Sequence, residues 1–80
     1  MTAESVQEIL DTFTDSVTAQ LDTDKLDGPL RVDNTRTIVT IPVKGRGPIY
    51  ARVKSVDQAG AADVIRQIGM VPSLKGLVRS

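Results

Sequence analysis

Between residues 4 and 21 the apolar side chains Val6, Ile9, Leu10, Phe13, Val17 and Leu21 recur every three or four positions. On a helical wheel they fall within an arc of about 120°. The spacing predicts an amphipathic helix over this stretch. Thr2 or Ser5 can cap it, Ser5 with Glu8 has the spacing of a capping box, and the residues from Asp22 to Pro29 supply the breakers that end it.

From Leu30 the period shortens. Val39, Ile41 and Val43 alternate with Thr40 and Pro42, and Ile49, Ala51 and Val53 alternate with Tyr50, Arg52 and Lys54. Lys44-Gly45-Arg46-Gly47 separates the two runs, so they read as an antiparallel hairpin. Leu30 to Val32, followed by the turn residues Asp33-Asn34, adds a short strand in front of it. Pro42 cannot donate to a ladder, which predicts that its strand lies partly at an edge or at a bulge.

Ser55 is the expected N-cap of a second helix, with Asp57 in its first turn and Gln58 at the capping-box position. Its buried face is Ala61, Val64, Ile65 and Ile68, and Gly69 is the expected C-cap. The last stretch, residues 70–80, holds Leu74, Leu77 and Val78 but also Pro72 and Gly76. It either packs as a short helical turn or serves as a tail that docks on a partner. The expected fold class is α+β. The order is α-β-β-β-α, with a two- or three-stranded antiparallel sheet and both helices on one of its faces.

Length holds this to a single domain over residues 1–80, since a chain of this size buries only about 60% of its unfolded surface and cannot divide into two cores. Stability of roughly 0.05 to 0.15 kcal/mol per residue amounts to about 4 to 12 kcal/mol, so oligomerisation is a useful supplement. Phe13 and Tyr50 are the two aromatics, which leaves the core to Val, Ile, Leu and Ala. No apolar run approaches the ~18 residues of a membrane span, and the N-terminus has no positively charged leader-like start. A soluble, cytoplasmic or otherwise intracellular protein, or one within a viral particle, is the expectation, with no membrane partner and no small-molecule substrate.

With neither histidine nor cysteine in the chain, serine and cysteine triads, histidine bases, disulfides and nearly all zinc or iron ligation drop out. Carboxylate-only chemistry needs acids that converge in a cleft. The acids here spread along one helix and one loop, so no enzymatic activity, catalytic residue, cofactor or metal is expected. Asp22, Asp24, Asp27 and Asp33 mimic calcium-loop spacing, but Leu26 and Asp27 stand where a ligand and an obligatory glycine belong, and the final glutamate is an aspartate.

The ten basic and ten acidic residues cancel, yet they are not mixed. Residues 1–34 hold eight acids against two bases, a balance of −6, and residues 35–80 hold two against eight, +6. Glu4, Glu8, Asp11, Asp15 and Asp22 lie within about 60° on the wheel of the first helix, opposite its apolar arc. No basic residue lies within that helix to pair with them, and each like-charge pair at i+4 costs about 0.2 to 0.5 kcal/mol. The basic half gathers on the hairpin. Tyr50, Arg52 and Lys54 share its outer face near Thr40 and Arg36, and Lys44 and Arg46 mark its tip.

Two resemblances attach to these residues. Lys44-Gly45-Arg46-Gly47-Pro48 resembles the Arg-Gly-Arg-Pro core of an AT-hook, but it lacks the second arginine and closes a hairpin. The element order is similar to that of the double-stranded-RNA-binding domain, and Ser55 with Ala59, Ala61 and Ala62 resembles the start of its second helix. Val56-Asp57-Gln58 stands where that family has lysines, so the likeness implies topology and carries no residue roles.

The expected function is a non-enzymatic protein interaction or assembly module, of the structural, adaptor or inhibitor kind found among viral and mobile-element proteins. It self-associates or binds a protein partner through Glu4, Glu8, Asp11 and Asp15 on one side and Lys44, Arg46, Tyr50, Arg52 and Lys54 on the other. The alternative is a small nucleic-acid-binding regulator that uses the basic C-terminal half.

Overall fold

In the structure, a computed structural model, residues 3–79 are described, with side chains from Val6 onward. The first helix, α1, runs Ala3–Ala19 and turns most of the predicted arc inward: Phe13 and Val17 are buried, as is Leu21 just past its end, while Ile9 stays exposed. It stops short of Leu21 because the other end of the chain takes up the backbone there. Leu21 pairs antiparallel with Val78, Asp22 N donates to Leu77 O at 2.7 Å, and Arg79 N donates to Gln20 O at 2.9 Å. Asp22 then caps a 3-10 turn, Thr23–Lys25, through a carboxylate that accepts from Asp24 N.

Three strands follow, β1 (Arg31–Val32), β2 (Ile38–Ile41) and β3 (Ile49–Arg52), antiparallel and in the order β1-β2-β3. Arg31, Thr40 and Tyr50 are in register across the sheet, Val32, Val39 and Ala51 form the next row, and Ile38 pairs with Arg52. Because side chains alternate along a strand, Val32, Val39, Ile41, Ile49 and Ala51 share one face. The other face carries Arg31, Ile38, Thr40, Tyr50 and Arg52. Of the edge and bulge placements inferred from Pro42, the edge is excluded, because β2 is the central strand. Pro42 lies one residue past the last ladder pair, Ile41 with Ile49, where no N–H is needed, and its carbonyl accepts from Asp27 N at 3.1 Å.

The second helix, α2, spans Gln58–Gly69 and is capped by Asp57 rather than by Ser55. The Asp57 carboxylate accepts from Gly60 N at 2.9 Å and from the Ser55 hydroxyl at 2.8 Å. Gly60 explains the later start. A Cβ at this position would lie 1.7 Å from Ser55 O and 2.8 Å from Val53 Cγ2, so the first turn of α2 is pressed against the segment leaving β3. Gly69 is the last helical residue, and Met70, itself in the α region, is the C-cap.

Residues 70–79 continue through a 3-10 turn, Lys75–Leu77, which buries Leu77 among the core residues, with Leu74 and Val78 packed against them. Of the two alternatives for the tail, the described residues pack on the domain itself. The two helices contact each other, and Phe13 and Val17 of α1 join Ala61, Val64 and Ile68 of α2 over Val39, Ile41, Ala51 and Val53. The result is the expected α+β domain of two layers, three strands under two helices.

Candidate functional site

Because both helices lie on the apolar face, the opposite face of the sheet is bare. Tyr50 is 69% exposed and Ile38 37%, with Arg31 and Arg52 exposed beside them and Thr40 half-buried between the rows. Strands about 4.8 Å apart with a rise of about 3.3 Å per residue put Arg31 and Arg52, two strands across and two residues along, about 12 Å apart. The surface therefore presents an aromatic and an aliphatic side chain between two guanidinium groups. At one end Gln67 Nε2 donates to Arg52 O at 2.6 Å, tying β3 to α2.

The basic residues predicted for this face do not all gather on it. Tyr50 and Arg52 do. Lys54 lies past the end of β3 and lines a groove of about 520 Å³ with Ile38 and Arg52 of the sheet and Asp63 and Gln67 of α2, and its charge helps hold the Asp63 carboxyl low. Lys44 and Arg46 occupy the turn closed by Gly47 N donating to Val43 O at 3.2 Å, at the opposite end of the hairpin from Lys54. Arg31, which belongs to the face, was missed: only its pairing with Thr40 reveals which way a two-residue strand points. Arg36 sits in the β1–β2 turn with φ at 58°, in the left-handed region where most side chains cost about 1 to 2 kcal/mol.

The acidic residues do gather. Glu8, Asp11 and Asp15 lie exposed on the side of α1 turned away from the core, and the side chain of Glu4 lies outside the described residues. Asp22, placed on the ridge by the wheel, lies past the end of α1 and pairs with Lys25 at 3.9 Å; the other ion pair among the described residues joins Arg66 to Asp63, and neither reaches Glu8, Asp11 or Asp15. Asp11 accepts from the neutral Gln7 amide at 2.8 Å. Glu8 to Asp15 spans about 10.5 Å along the helix.

Three other carboxyls have structural partners. Asp33 is held below its ordinary value chiefly by the Thr35 hydroxyl and the Ile38 N–H, and these bonds close the β1–β2 turn. Asp57 is lowered first by Gly60 N–H and then by the Ser55 hydroxyl. Asp63 is lowered by the Arg66 hydrogen bond and then by the charges of Arg66 and Lys54. Among the described residues no group of three His, Cys, Asp or Glu side chains could hold a metal ion, and no helix is long and apolar enough to cross a membrane. The sequence calcium-loop cluster is dispersed: Asp22 caps a turn and Asp33 closes a different one.

No protein-family model matches the chain, and no curated protein or solved structure is similar to it.

Proposed function

We propose that this domain is a non-enzymatic interaction module that associates copy to copy, through the bare sheet face on one side and the acidic ridge of α1 on the other. The observation that carries the reading is the placement of these two surfaces. The ridge runs along α1 and the bare face lies under the sheet; Asp11 and Arg31 line one cavity of about 270 Å³ where α1 meets β1, and no ion pair joins the two surfaces among the described residues. A ridge of about 10.5 Å and an Arg31 to Arg52 separation of about 12 Å are matched in length. Exposed ion pairs are individually worth about 0 to 1 kcal/mol, and burying Tyr50 and Ile38 at the same contact adds the apolar term that charge alone lacks.

Such a contact is heterologous: the face used by one copy differs from the face used by the next, and the association closes into a ring or continues as a filament. The absence of histidine and cysteine, with Asp22, Asp33 and Asp57 engaged in caps and turns and Asp63 paired with Arg66, supports a role in contact rather than catalysis. Sedimentation velocity at ~50 mM salt tests the reading. The wild type exceeds its monomer mass of 8.6 kDa and Asp11→Lys/Asp15→Lys reduces it. A wild-type sample that stays monomeric at millimolar concentration refutes it.

A second reading rests on Tyr50. Standing exposed between arginines, it is placed to stack a base while Arg31 and Arg52 hold phosphates, as in single-strand platforms. Fluorescence titration with a single-stranded oligonucleotide at ~50 mM salt separates the two, because even a few phosphate contacts give a measurable slope of affinity with salt. No binding under those conditions removes the nucleic-acid reading.

A further inference from the structure

Among the described residues the large apolar side chains left exposed fall into three places: Tyr50 and Ile38 on the sheet, Ile9 on α1, and Met70 with Val71 after α2. Ile9 belongs to a groove of about 660 Å³ between α1 and the start of α2, with Phe13 and Val56 at its floor. Glu8 and Asp57 stand on its rim. Met70, 70% exposed, and Val71, 40% exposed, project at the far end of α2 and have the reverse charge setting. The Arg66 guanidinium, which also pairs with Asp63, lies 3.7 Å from the Met70 sulfur, and Lys75, exposed, follows in the same turn, its N–H bonded to Val71 O.

We propose that the groove at Ile9 and Phe13 receives the Met70–Val71 projection of a second copy. The two parts are complementary in both respects that matter. One is concave, apolar and rimmed by carboxylates, while the other is convex, apolar and flanked by cations. They stand at opposite ends of α2, whose 12 residues extend about 18 Å, so no chain can fill its own groove. The contact is head to tail, and each copy keeps one free groove and one free projection. It rests on the self-association proposed above but, apart from Glu8 on the groove rim, uses different residues, since Arg31, Arg52, Asp11 and Asp15 take no part. Its salt response also differs. Burial of apolar surface survives ionic strength that screens exposed charges, the Debye length falling to a few ångström near 1 M.

The test is sedimentation velocity at ~0.5 M salt, with circular dichroism confirming that each variant is folded. Ile9→Lys blocks the groove and leaves the projection intact; Met70→Glu sets a carboxylate against the acidic rim and leaves the groove intact. Both positions are exposed, so neither change empties the core. The wild type is expected to grow beyond the dimer with concentration, each variant alone to remain at 8.6 kDa, and the equimolar mixture to stop at a dimer. That dimer forms because one variant still offers a groove and the other a projection. A wild type that is monomeric at this salt, variants that associate as the wild type does, or a mixture that stays monomeric each overturn the proposal. None of these outcomes touches the charge-driven association at ~50 mM salt, which fails or stands on its own variants.

Discussion

Alanine at Gly60 sets two effects of opposite sign against each other, and the structure decides which prevails. In an exposed helix interior, glycine to alanine stabilises by about 0.5 to 1 kcal/mol, because the glycine backbone loses more freedom on folding. At Gly60 the added Cβ would stand 1.7 Å from Ser55 O and 2.8 Å from Val53 Cγ2. The first obstacle is backbone and cannot rotate away, so α2 must move off the β3 exit by more than 1 Å or the exit segment must rebuild, in either case disturbing the Asp57 cap and the burial of Ala61 and Val64. Overpacking costs about 1 to 3 kcal/mol and occasionally more; with two obstacles, one of them rigid, a net loss of about 3 kcal/mol is expected, a large part of the stability of a domain this size. At about 4 to 8 °C per kcal/mol, the melting temperature falls by more than about 10 °C. Gly69→Ala is the control. Its Cβ meets nothing within 4 Å and the residue ends the same helix, so a gain of up to about 1 kcal/mol is expected. Thermal melts followed by circular dichroism, with urea midpoints, measure both. Equal stabilisation by the two substitutions refutes the close approach of α2 to Ser55.

Three further outcomes follow from particular contacts. Leu77→Ala should cost about 2 to 3 kcal/mol, because the side chain is buried with the core rather than lying on it; a change below about 0.5 kcal/mol in urea titration would show that the C-terminal turn is peripheral. Arg36→Gly should raise stability by about 0.5 to 1 kcal/mol by relieving the left-handed backbone, less what the more flexible unfolded chain takes back, and an unchanged or lower urea midpoint contradicts the strain. The Asp57 carboxyl is held below its ordinary value by Gly60 N–H, so its contribution is present at neutral pH and lost as pH falls through the folded value. Stability should therefore decline on acidification below about pH 4, and Asp57→Asn, which keeps an accepting oxygen without the titration, should flatten part of that decline in urea midpoints between pH 7 and pH 3.

Several of these elements can be read directly from the amino acids. The 3.6-residue recurrence from Val6 to Leu21 and the alternation from Val39 to Lys54 each persist long enough to identify α1 and the hairpin. Boundaries were less legible where distant chain segments intervene. Leu21 leaves α1 because Val78 pairs with its backbone, and the cap moves from Ser55 to Asp57 because Gly60 must meet Ser55 O; neither partner is signalled locally. The surface followed the same rule. Glu8, Asp11 and Asp15 depend only on helical periodicity, and Tyr50 and Arg52 only on alternation within β3. Lys54 sits past the end of β3, which stops at Arg52, yet shares a groove with Arg52 and Ile38. Arg31 required the β1–β2 register, which two residues of strand cannot disclose.

Charge reversal with mixing tests the central claim most directly. Arg31→Glu/Arg52→Glu gives copies whose sheet face and ridge are both negative, and Asp11→Lys/Asp15→Lys leaves the sheet face basic and cancels the ridge charge, two lysines standing against Glu4 and Glu8. At ~50 mM salt, where exposed charges are least screened, each variant alone should associate less than the wild type. In an equimolar mixture the basic sheet face of the second variant meets the acidic ridge of the first, so the weight-average mass by sedimentation should exceed that of either variant alone. A mixture that associates no more than its separate components, or single variants that associate as well as the wild type, would contradict the joining of sheet face to ridge.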